Sequence, residues 1–325
     1  TFRFAKALAL NLFRLRKIIG GAGASAEVER FEYAPIARAL GCKLVVIVHN
    51  EGDPKKDKMD SLLKRYWWVQ EVSEWTSFRL ADRIFCVTPK LRERLGERHP
   101  SQLKKAEVLT VSVDTHLFHA SPFDLSDGKL RIVYAGRLDE FKDPPVMFRV
   151  CKALHDALNG AFEFHYCGSE DPNKFKEFAP IADVTVRHGA LLPPGVADVM
   201  RNVHMGILVS HWEGMPCFLL ETLSSGRPFG GLRLPQFDQV VEPGVSGRMT
   251  ERAETDDETV ARVTQTILGL WDEIRAGKID PAAVHAKIGA FSVDRQLTRL
   301  FNAHRELSSS RESGPKQLQT SASNA

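Results

Sequence analysis

From residue 30 onwards the chain alternates short apolar runs with longer amphipathic stretches. The apolar runs are rich in β-branched and aromatic side chains and are bounded by polar residues, a pattern typical of buried parallel strands. They predict strands at residues 43–49, 83–87, 107–113, 130–136, 163–167, 184–187, 205–209 and 229–231. The amphipathic stretches predict helices at residues 65–80, 90–97, 195–202 and 217–225, and others that start near 145 and 256. Strands and helices that alternate in this way form parallel α/β sheets.

A polar, turn-rich segment at residues 119–129 separates two cycles of this alternation. The length of 325 residues is enough for about two domains. We therefore predict two doubly wound domains, at residues 1–126 and 127–290, and a further helix at 291–307. Residues 308–325 are rich in serine and almost free of apolar side chains, so we predict a disordered tail there.

Composition narrows the class of protein. Hydrophobic residues make up 43% and charged residues 26% of the chain, which excludes a disordered or fibrous protein. Residues 1–126 carry 21 basic and 15 acidic side chains, and the remainder carries 23 and 26. The basic excess of residues 1–126 is too small to form a dense basic stripe, so a nucleic-acid partner is not expected. The five cysteines are widely spaced without a Cys-x-x-Cys motif, which favours reduced core cysteines in a cytoplasmic protein.

Residues 1–26 contain five basic side chains and no acidic one. Leu8, Leu12, Leu15 and Ile19 recur at helical spacing, with the basic residues on another face. No signal-peptide pattern is present. The stripe is compatible with a helix that contacts an anionic membrane at its inner face, although such a stripe more often belongs to a helix that packs on its own sheet.

Candidate chemistry follows the predicted strands, because ligands of doubly wound sheets bind at the carboxyl ends of the strands. After the strand at 130–136, Gly136 permits a close turn and is followed by Arg137 and Lys142. Asp143 then caps a helix that begins with prolines. Two cations beside a helix N-terminus suit a diphosphate. The alternative is a pair of solvated surface cations.

The loop after the strand at 205–209 leads to two glutamates, Glu213 and Glu221, that are eight residues apart. Gly214 and Pro216 shape a turn that leaves backbone N–H groups at the start of the next helix free for an anion. Carboxylates in such a cleft can accept hydrogen bonds from sugar hydroxyls. Two glutamates alone can have this spacing by chance, but the surrounding strand, turn and Ser-Gly-Arg-Pro ending at 225–228 make the motif specific.

Together these segments resemble the retaining, nucleotide-sugar-dependent glycosyltransferases of the GT-B fold, in particular family 4, also called glycosyltransferase group 1. The family motif is Ser-x-x-Glu-Gly-x-Pro, a second glutamate, and a small residue followed by Gly-x-Pro. It is matched here from Ser210 through Glu213 and Glu221 to Pro228. The resemblance extends over about residues 30–305. It implies two Rossmann-like doubly wound domains that face a cleft, and a late helix that returns to the first domain.

The resemblance also implies roles for individual residues. Arg137 and Lys142 would hold the donor diphosphate, and Glu221 would bind the ribose. Glu213 would contact the transferred sugar and the distal phosphate, and His49 of the first domain would lie near the sugar. A histidine that ends a strand is, by itself, more often a satisfied structural residue. The remaining donor-site positions are Gly136, the nucleobase segment Gly189, Ala190 and Leu191, and the backbone of Gly214, Met215, Pro216 and Cys217.

The implied activity is transfer of a hexose from a UDP- or GDP-sugar to a glycan or lipid-linked acceptor in cell-surface polysaccharide synthesis, without a cofactor or tightly bound metal ion. Two other classes remain: a non-catalytic nucleotide-sugar-binding or scaffold protein, and a GT-B epimerase, which the Glu213 motif disfavours.

The family usually begins with a strand and a glycine-rich loop, which this chain lacks before residue 27. The first domain is therefore expected to be truncated by roughly 50 residues. An aromatic helix at 66–78, with Lys55, Lys56, Lys58, Lys64 and Arg65 nearby, is either an acceptor or membrane-facing surface or a partly buried amphipathic helix.

Overall fold

The computed structural model describes residues 2–19, 24–49 and 67–309. The chain divides into two compact units. Unit 1 comprises Thr1–Leu109 and Leu297–Ala325, and unit 2 comprises Thr110–Gln296. Each unit has its own hydrophobic core and its own parallel sheet, which confirms the α/β class that the alternating pattern predicted.

The sheet of unit 1 contains four described parallel strands in the order β1-β2-β3-β4. They are β1 (Ser25–Val28), β2 (Lys43–Val48), β3 (Arg83–Cys86) and β4 (Ala106–Val108). The pattern did not predict β1, because its sequence is Ser-Ala-Glu-Val and only Val28 is buried. Strand β2 is nearly continuous in apolar residues because both of its faces are covered.

Unit 1 also contains six described helices. They are α1 (Phe2–Leu10), α2 (Leu12–Ile19), α3 (Ala34–Ala39), α4 (Trp67–Leu80), α5 (Pro89–Arg98) and α11 (Val293–Ser309), the last of which begins in unit 2. The helix predicted for the N-terminal stretch is therefore two helices. Of their predicted stripe, Leu8, Leu12 and Leu15 are half-buried and Ile19 is exposed, as are Phe13 and Ile18. None of the described helices combines the length and apolar character that a membrane crossing needs.

The late helix α11 returns to unit 1, as the family resemblance implied. Ala303 is buried in the unit 1 core, and Leu300 and Leu307 pack against it. The His304 Nδ1 atom lies 2.7 Å from Ser25 Oγ on β1. The helix continues to Ser309, so the first two residues of the predicted tail are helical. Residues 310–325, where the rest of the tail was predicted, lie outside the described part of the chain, as do residues 50–66 with the predicted basic cluster.

The sheet of unit 2 contains six parallel strands in the order β10-β9-β8-β5-β6-β7. The strands are β5 (Leu130–Ala135), β6 (Phe162–Cys167), β7 (Thr185–Gly189), β8 (Met205–Leu208), β9 (Phe229–Leu232) and β10 (Gly247–Thr250). Helices α6 (Pro144–Ala157), α7 (Pro193–Arg201), α8 (Cys217–Ser224), α9 (Asp256–Arg275) and α10 (Pro281–Ala286) accompany it. The sequence pattern predicted all of these strands except β10, whose Gly-Arg-Met-Thr has little apolar content.

The boundary between the units differs from the predicted one. The predicted strand at 107–113 ends at Val108, and Val113 forms only an isolated bridge with Ser292 of unit 2. Phe118 is buried in the unit 2 core, where its carbonyl accepts a hydrogen bond from Ser224. Because this segment packs on unit 2, unit 2 begins at Thr110, whereas the polar composition placed the boundary after residue 126.

Candidate functional site

The strand order of unit 2 reverses next to β5. From β5 the chain continues to β6 and β7 on one side, and then crosses to β8, β9 and β10 on the other. The loops after β5 and β8 therefore leave the sheet in opposite directions, and a crevice opens between them at the carboxyl ends of the strands. The predicted site residues of unit 2 lie in the loops after β5, β7 and β8 and on helix α8, which follows β8.

Two glycines bring the loops after β5 and β6 together. The backbone N–H of Gly136 donates to the carbonyl of Cys167 at 2.9 Å. A Cβ atom on Gly136 would lie 2.9 Å from the Tyr134 hydroxyl, which itself bonds to the Arg137 carbonyl. A Cβ atom on Gly168 would lie 2.5 Å from the Gly136 carbonyl. Both positions therefore need glycine, and Gly168 is a residue that the sequence reasoning did not include in the site.

Lys142 and Glu213 form an ion pair across the crevice. The Lys142 ammonium lies 2.5 Å from Glu213 Oε1, and the Ser210 hydroxyl donates to the same oxygen at 2.7 Å. The side chains are only 20% and 9% exposed, so water screens the pair poorly. Gln236 donates to the backbone carbonyl of Glu213. The structure thus joins two residues that the sequence placed in separate motifs, 71 positions apart.

A second set of contacts cross-links the same two loops around Asp143. This residue adopts a left-handed conformation (φ 52°, ψ 58°) and caps α6. Its Oδ2 accepts from Arg252 Nη1 at 2.8 Å and lies 3.3 Å from His211 Nε2. Arg252 also donates to the Val209 carbonyl. The strained conformation of Asp143 is thus held by groups from the β8 loop and from the segment after β10.

Of this cluster, Asp143 was expected only as a helix cap, and His211, Gln236 and Arg252 were not predicted as site residues. Ser210 was noted only as part of the family motif. Spacing gives no signal for Arg252, which lies 109 positions from Asp143.

Arg137 behaves differently from Lys142. Its side chain is 77% exposed, and its guanidinium contacts Asp139 Oδ2 at 3.2 Å. In this structure Arg137 is a solvated surface cation, which was the alternative interpretation of the loop after β5. Lys142 is not solvated in this way. A side chain of this length and exposure can reorient towards an anion, so its predicted role remains a prediction.

The second glutamate lies on α8. Pro216 is the cap residue of this helix, Cys217 is exposed at its first position, and Met215 is buried. Nothing lies within 4 Å of a Cβ placed on Gly214. Burial raises the pKa of Glu221 above its ordinary value. Burial, and then the charge of Glu221, raise the pKa of Cys167 to about 11.

The predicted nucleobase segment follows β7. Gly189 has a left-handed conformation (φ 69°) with open space around it, and both Ala190 and Leu191 are exposed. The preceding His188 lies 3.1 Å, between ring nitrogens, from His165 on β6. Burial, and then His188, lower the pKa of His165 to about 4. This end of the crevice therefore has two imidazoles whose pKa values are lowered by burial, beside the exposed residues Gly189–Leu191.

The remaining predicted residue, His49, lies in unit 1 directly after β2. Its ring is partly exposed, and its Nε2 lies 3.7 Å from Glu29 Oε1. It therefore lies at the carboxyl end of a parallel strand, as predicted, and its role stays a prediction.

Comparison with known proteins finds a family model that matches most of unit 2. Residues 129–269 match the family model described as "Glycosyl transferases group 1". Two similar curated proteins are D-inositol 3-phosphate glycosyltransferases. The one from Arthrobacter sp. (strain FB24) is 22% identical over 274 residues, which cover 78% of this chain and 62% of the relative. The one from Streptosporangium roseum is 23% identical over 227 residues, covering 63% and 52%. The chain thus spans somewhat more than half the length of these relatives.

Solved structures agree with the predicted GT-B fold. The pneumococcal O-GlcNAc transferase GtfA, in complex with UDP and GlcNAc, superposes with a TM-score of 0.68 at 18% identity, covering 90% of this chain and 59% of that chain. The lipopolysaccharide outer core galactosyltransferase WaaB gives 0.63 at 17% identity, covering 92% and 80%. HepE from Anabaena, in complex with UDP and glucose, gives 0.64 at 14% identity, covering 84% and 74%. At these identities the likeness establishes the fold.

Proposed function

Because residues 129–269 match the family model of group 1 glycosyl transferases, we propose that this chain transfers a hexose from a nucleoside diphosphate sugar to a glycan or lipid-linked acceptor, with retention of configuration. The observation that carries the proposal is the Lys142–Glu213 pair at the strand reversal of unit 2. This pair combines a cation that water screens poorly with a carboxylate, at the point where such sheets bind ligands. It therefore suits a substrate that carries both phosphate and sugar hydroxyls.

The donor would lie along the carboxyl ends of the unit 2 strands. The nucleobase would meet the backbone of Gly189–Leu191, and the ribose would meet Glu221. The diphosphate would lie against Lys142, the N-terminus of α8 and a reoriented Arg137. The transferred hexose would then contact Glu213. UDP is the first donor nucleotide to test, because GtfA and HepE were solved with UDP. GDP is the alternative.

In the proposed reaction, the bond between the anomeric carbon and the distal phosphate oxygen breaks, and its electron pair stays with the nucleoside diphosphate. An acceptor hydroxyl attacks from the same face and forms the new bond to the anomeric carbon. Its proton passes to the leaving phosphate. Lys142 stabilises the negative charge that grows on that phosphate, and its contacts to Glu213 fix its position before reaction. Glu213 stands beside the sugar, where positive charge develops.

We propose that this reaction needs no resident cofactor and no tightly bound metal ion. Lys142, Arg137 and helix N–H groups provide the positive charge that a divalent ion would otherwise supply to the diphosphate. The rate of donor hydrolysis should therefore be the same in EDTA as in MgCl2. A rate that falls at least tenfold in EDTA, and returns with Mg²⁺ or Mn²⁺, would contradict this part of the proposal.

The decisive experiment is a thermal-shift and hydrolysis panel of UDP- and GDP-sugars on the chain beside Glu213→Ala and Arg137→Ala. One donor should raise the melting temperature and release its nucleotide slowly, and both effects should be lost in Glu213→Ala. Arg187→Ala is a matched control for Arg137→Ala, because Arg187 is also an exposed arginine of unit 2 paired with an aspartate. Absence of binding by every donor would refute the transferase assignment for this chain.

A second candidate is a nucleotide-sugar-binding scaffold without turnover. It is favoured by the exposure of Arg137, which in this structure is paired with Asp139 rather than with the Lys142 and Glu213 cluster. In the same panel, a scaffold would be stabilised by a donor but would release no nucleotide and transfer no sugar. The acceptor arm should include inositol 3-phosphate, after the two curated relatives, and lipopolysaccharide core oligosaccharide, after WaaB.

We further propose that unit 1 contacts an anionic membrane, at the cytoplasmic face, which would bring the site to a lipid-linked acceptor for surface polysaccharide synthesis. Helices α1 and α2 support this proposal, because Leu10, Phe13 and Ile18 are exposed beside Arg14, Arg16 and Lys17. The chain should sediment with vesicles that contain phosphatidylglycerol and not with pure phosphatidylcholine. Phe13→Glu should abolish this binding, whereas Phe301→Glu on α11 should not.

A further inference from the structure

Two large aromatic side chains lie exposed at the strand reversal of unit 2. Phe141 follows β5 and is 54% exposed, and Trp212 follows β8 and is 51% exposed. Their ring centroids are 5.8 Å apart, with the ring planes inclined at 55°. Exposed apolar surface of this size is costly in water unless a ligand or partner covers it.

We propose that Phe141 and Trp212 form a stacking subsite for a hexopyranose ring of the acceptor. This inference rests on the proposed glycosyltransferase function and extends it to the class of acceptor. A pyranose ring has an apolar C–H face and a rim of hydroxyl groups. Binding sites for such molecules combine aromatic surface with a few fixed polar groups.

The position of the two rings relates them to the reacting groups. Phe141 directly precedes Lys142, and Trp212 directly precedes Glu213, so each ring adjoins one member of the buried pair. The pair itself is largely shielded from solvent, whereas the rings are about half-exposed. Each exposed ring is thus next in sequence to a member of the shielded pair, and we place the acceptor on these rings, beside a donor that is already bound.

The loops that carry the rings are fixed to each other. The backbone N–H of His211 donates to the Phe141 carbonyl at 2.8 Å. The His211 ring lies 3.3 Å from Asp143, which Arg252 also holds. A stacking surface that is held in place before binding loses little conformational entropy when a sugar arrives. The exposed edge of the His211 ring also supplies a polar group beside the aromatic surface.

The other end of the crevice argues against the nucleobase as the occupant. The exposed backbone of Gly189–Leu191 follows β7, which is separated from β8 by β5 and β6. At about 4.8 Å between neighbouring strands, the β7 and β8 loops are about 14 Å apart. A base that binds at β7 would leave the two rings uncovered. The donor hexose is assigned to the buried Glu213, so the acceptor sugar is the substrate group left for the exposed rings.

The test compares Phe141→Ala, Trp212→Ala and the conservative Trp212→Phe. The matched control is Phe301→Ala, because Phe301 on α11 is 58% exposed and lies in unit 1. Two measurements are made on every variant: the Kd for UDP, and the KM for methyl α-glucoside, methyl α-galactoside and methyl N-acetylglucosaminide as acceptors. Saturation-transfer NMR of the same methyl hexosides, without donor, gives an independent measure of sugar binding.

Trp212→Ala and Phe141→Ala should raise the acceptor KM about tenfold, equivalent to ~1.4 kcal/mol, while the Kd for UDP changes less than twofold. Trp212→Phe should restore most of the affinity, and Phe301→Ala should have no effect. Equal losses of UDP and acceptor affinity, or an unchanged KM, would overturn the proposal.

If no donor binds to the unaltered chain, the transferase proposal fails, yet saturation transfer that is lost in Trp212→Ala would still support a sugar subsite. Absence of saturation transfer to every methyl hexoside would overturn it.

Discussion

The two units have the same kind of sheet but differ in strand order. In unit 1 the described strands follow one another as β1-β2-β3-β4, without reversal, whereas in unit 2 the order reverses between β5 and β8. A reversal separates two neighbouring loops and opens a crevice at the carboxyl end of the sheet. The Lys142–Glu213 pair spans that crevice. Strand order, rather than sheet type, therefore explains why most of the predicted site lies in unit 2.

The exposed apolar side chains differ in the same way. Of the large apolar side chains described as exposed in unit 2, Phe141, Leu191, Leu192 and Trp212 lie after strands, whereas Val186 lies on β7 and Leu125 lies before β5. In unit 1 the exposed apolar residues lie instead on helices, such as Phe13 on α2 and Trp75 on α4. Exposed apolar side chains at strand ends suit the binding of a small ligand, whereas exposed apolar helix faces suit docking onto an extended surface. This comparison favours substrate chemistry in unit 2 and docking in unit 1.

The largest expected effect is on the rate of donor turnover, and it differs between the two units. Lys142→Met should lower the rate of donor turnover 10²- to 10³-fold, because it removes the preorganised cation from the leaving phosphate. His49→Ala, in unit 1, should lower it less if His49 only contacts the sugar. Single-turnover rates with the best donor provide the measurement. Equal losses in the two variants would show that unit 1 contributes as much to the chemistry as unit 2.

A second comparison concerns buried arginines. Arg227 in unit 2 is fully buried and donates to four backbone carbonyls and a hydroxyl, belonging to Met200, Ser121, Pro122 and Arg201. Burial lowers its pKa to about 10. Arg227→Met should reduce the free energy of unfolding by about 3 to 5 kcal/mol, because these acceptors lose their donor inside the core.

Arg38 of unit 1 is the matched control. It also bonds to backbone carbonyls, those of Cys42 and Leu80, and it pairs with Asp82 at 2.8 Å, but it is about one-third exposed. Water can replace its contacts, so Arg38→Met should cost only about 1 kcal/mol. Urea denaturation of both variants measures the difference. Equal costs would mean that burial does not distinguish the two sites.

Acid should destabilise unit 2 through His165. Its native pKa of about 4 lies below the ordinary histidine value, so between these values the unfolded chain binds a proton that the native protein does not. The unfolding free energy should therefore fall by about 2 kcal/mol from pH 7 to pH 5 on account of this residue. His165→Asn should reduce that fall, as measured by urea denaturation at both pH values. An unchanged pH dependence would contradict the assignment.

The smallest effect concerns the pH dependence of donor binding. Burial raises the pKa of Glu221, and ribose hydroxyls are expected to donate to its ionised form. Donor affinity should therefore fall as the pH drops through that raised pKa, above the ordinary range for glutamate. Glu221→Gln should bind the donor a few-fold more weakly at neutral pH, without this acidic fall. Calorimetric titration from pH 5 to pH 8 measures both, and a variant with the unaltered profile would exclude Glu221 as its source.

The same raised pKa makes a prediction about stability. The native protein holds the Glu221 proton more tightly than the unfolded chain does. The contribution of this residue to the unfolding free energy is therefore greatest below the ordinary glutamate pKa, and it is lost as the pH rises through the raised one. Donor affinity and stability should thus change in opposite directions with pH, which distinguishes a binding role from a structural one.

The sequence by itself determined most strands and helices of unit 2, the positions of Lys142 and Glu213 at strand ends, and the resemblance to group 1 glycosyltransferases, because apolar periodicity and local motifs express short-range physics. It missed β1 and β10, because their residues have little apolar content. It also placed the unit boundary after residue 126, because a polar segment resembles a linker. In the structure this segment packs on the core of unit 2 through Phe118 and through a hydrogen bond from Arg227. Tertiary structure decided that Lys142 and Glu213 form an ion pair, that Asp143 is held by Arg252 and His211, and that Phe141 contacts Trp212. These contacts join residues that are far apart in the sequence, up to 109 positions, and only the strand order, which one-dimensional patterns do not encode, brings them together.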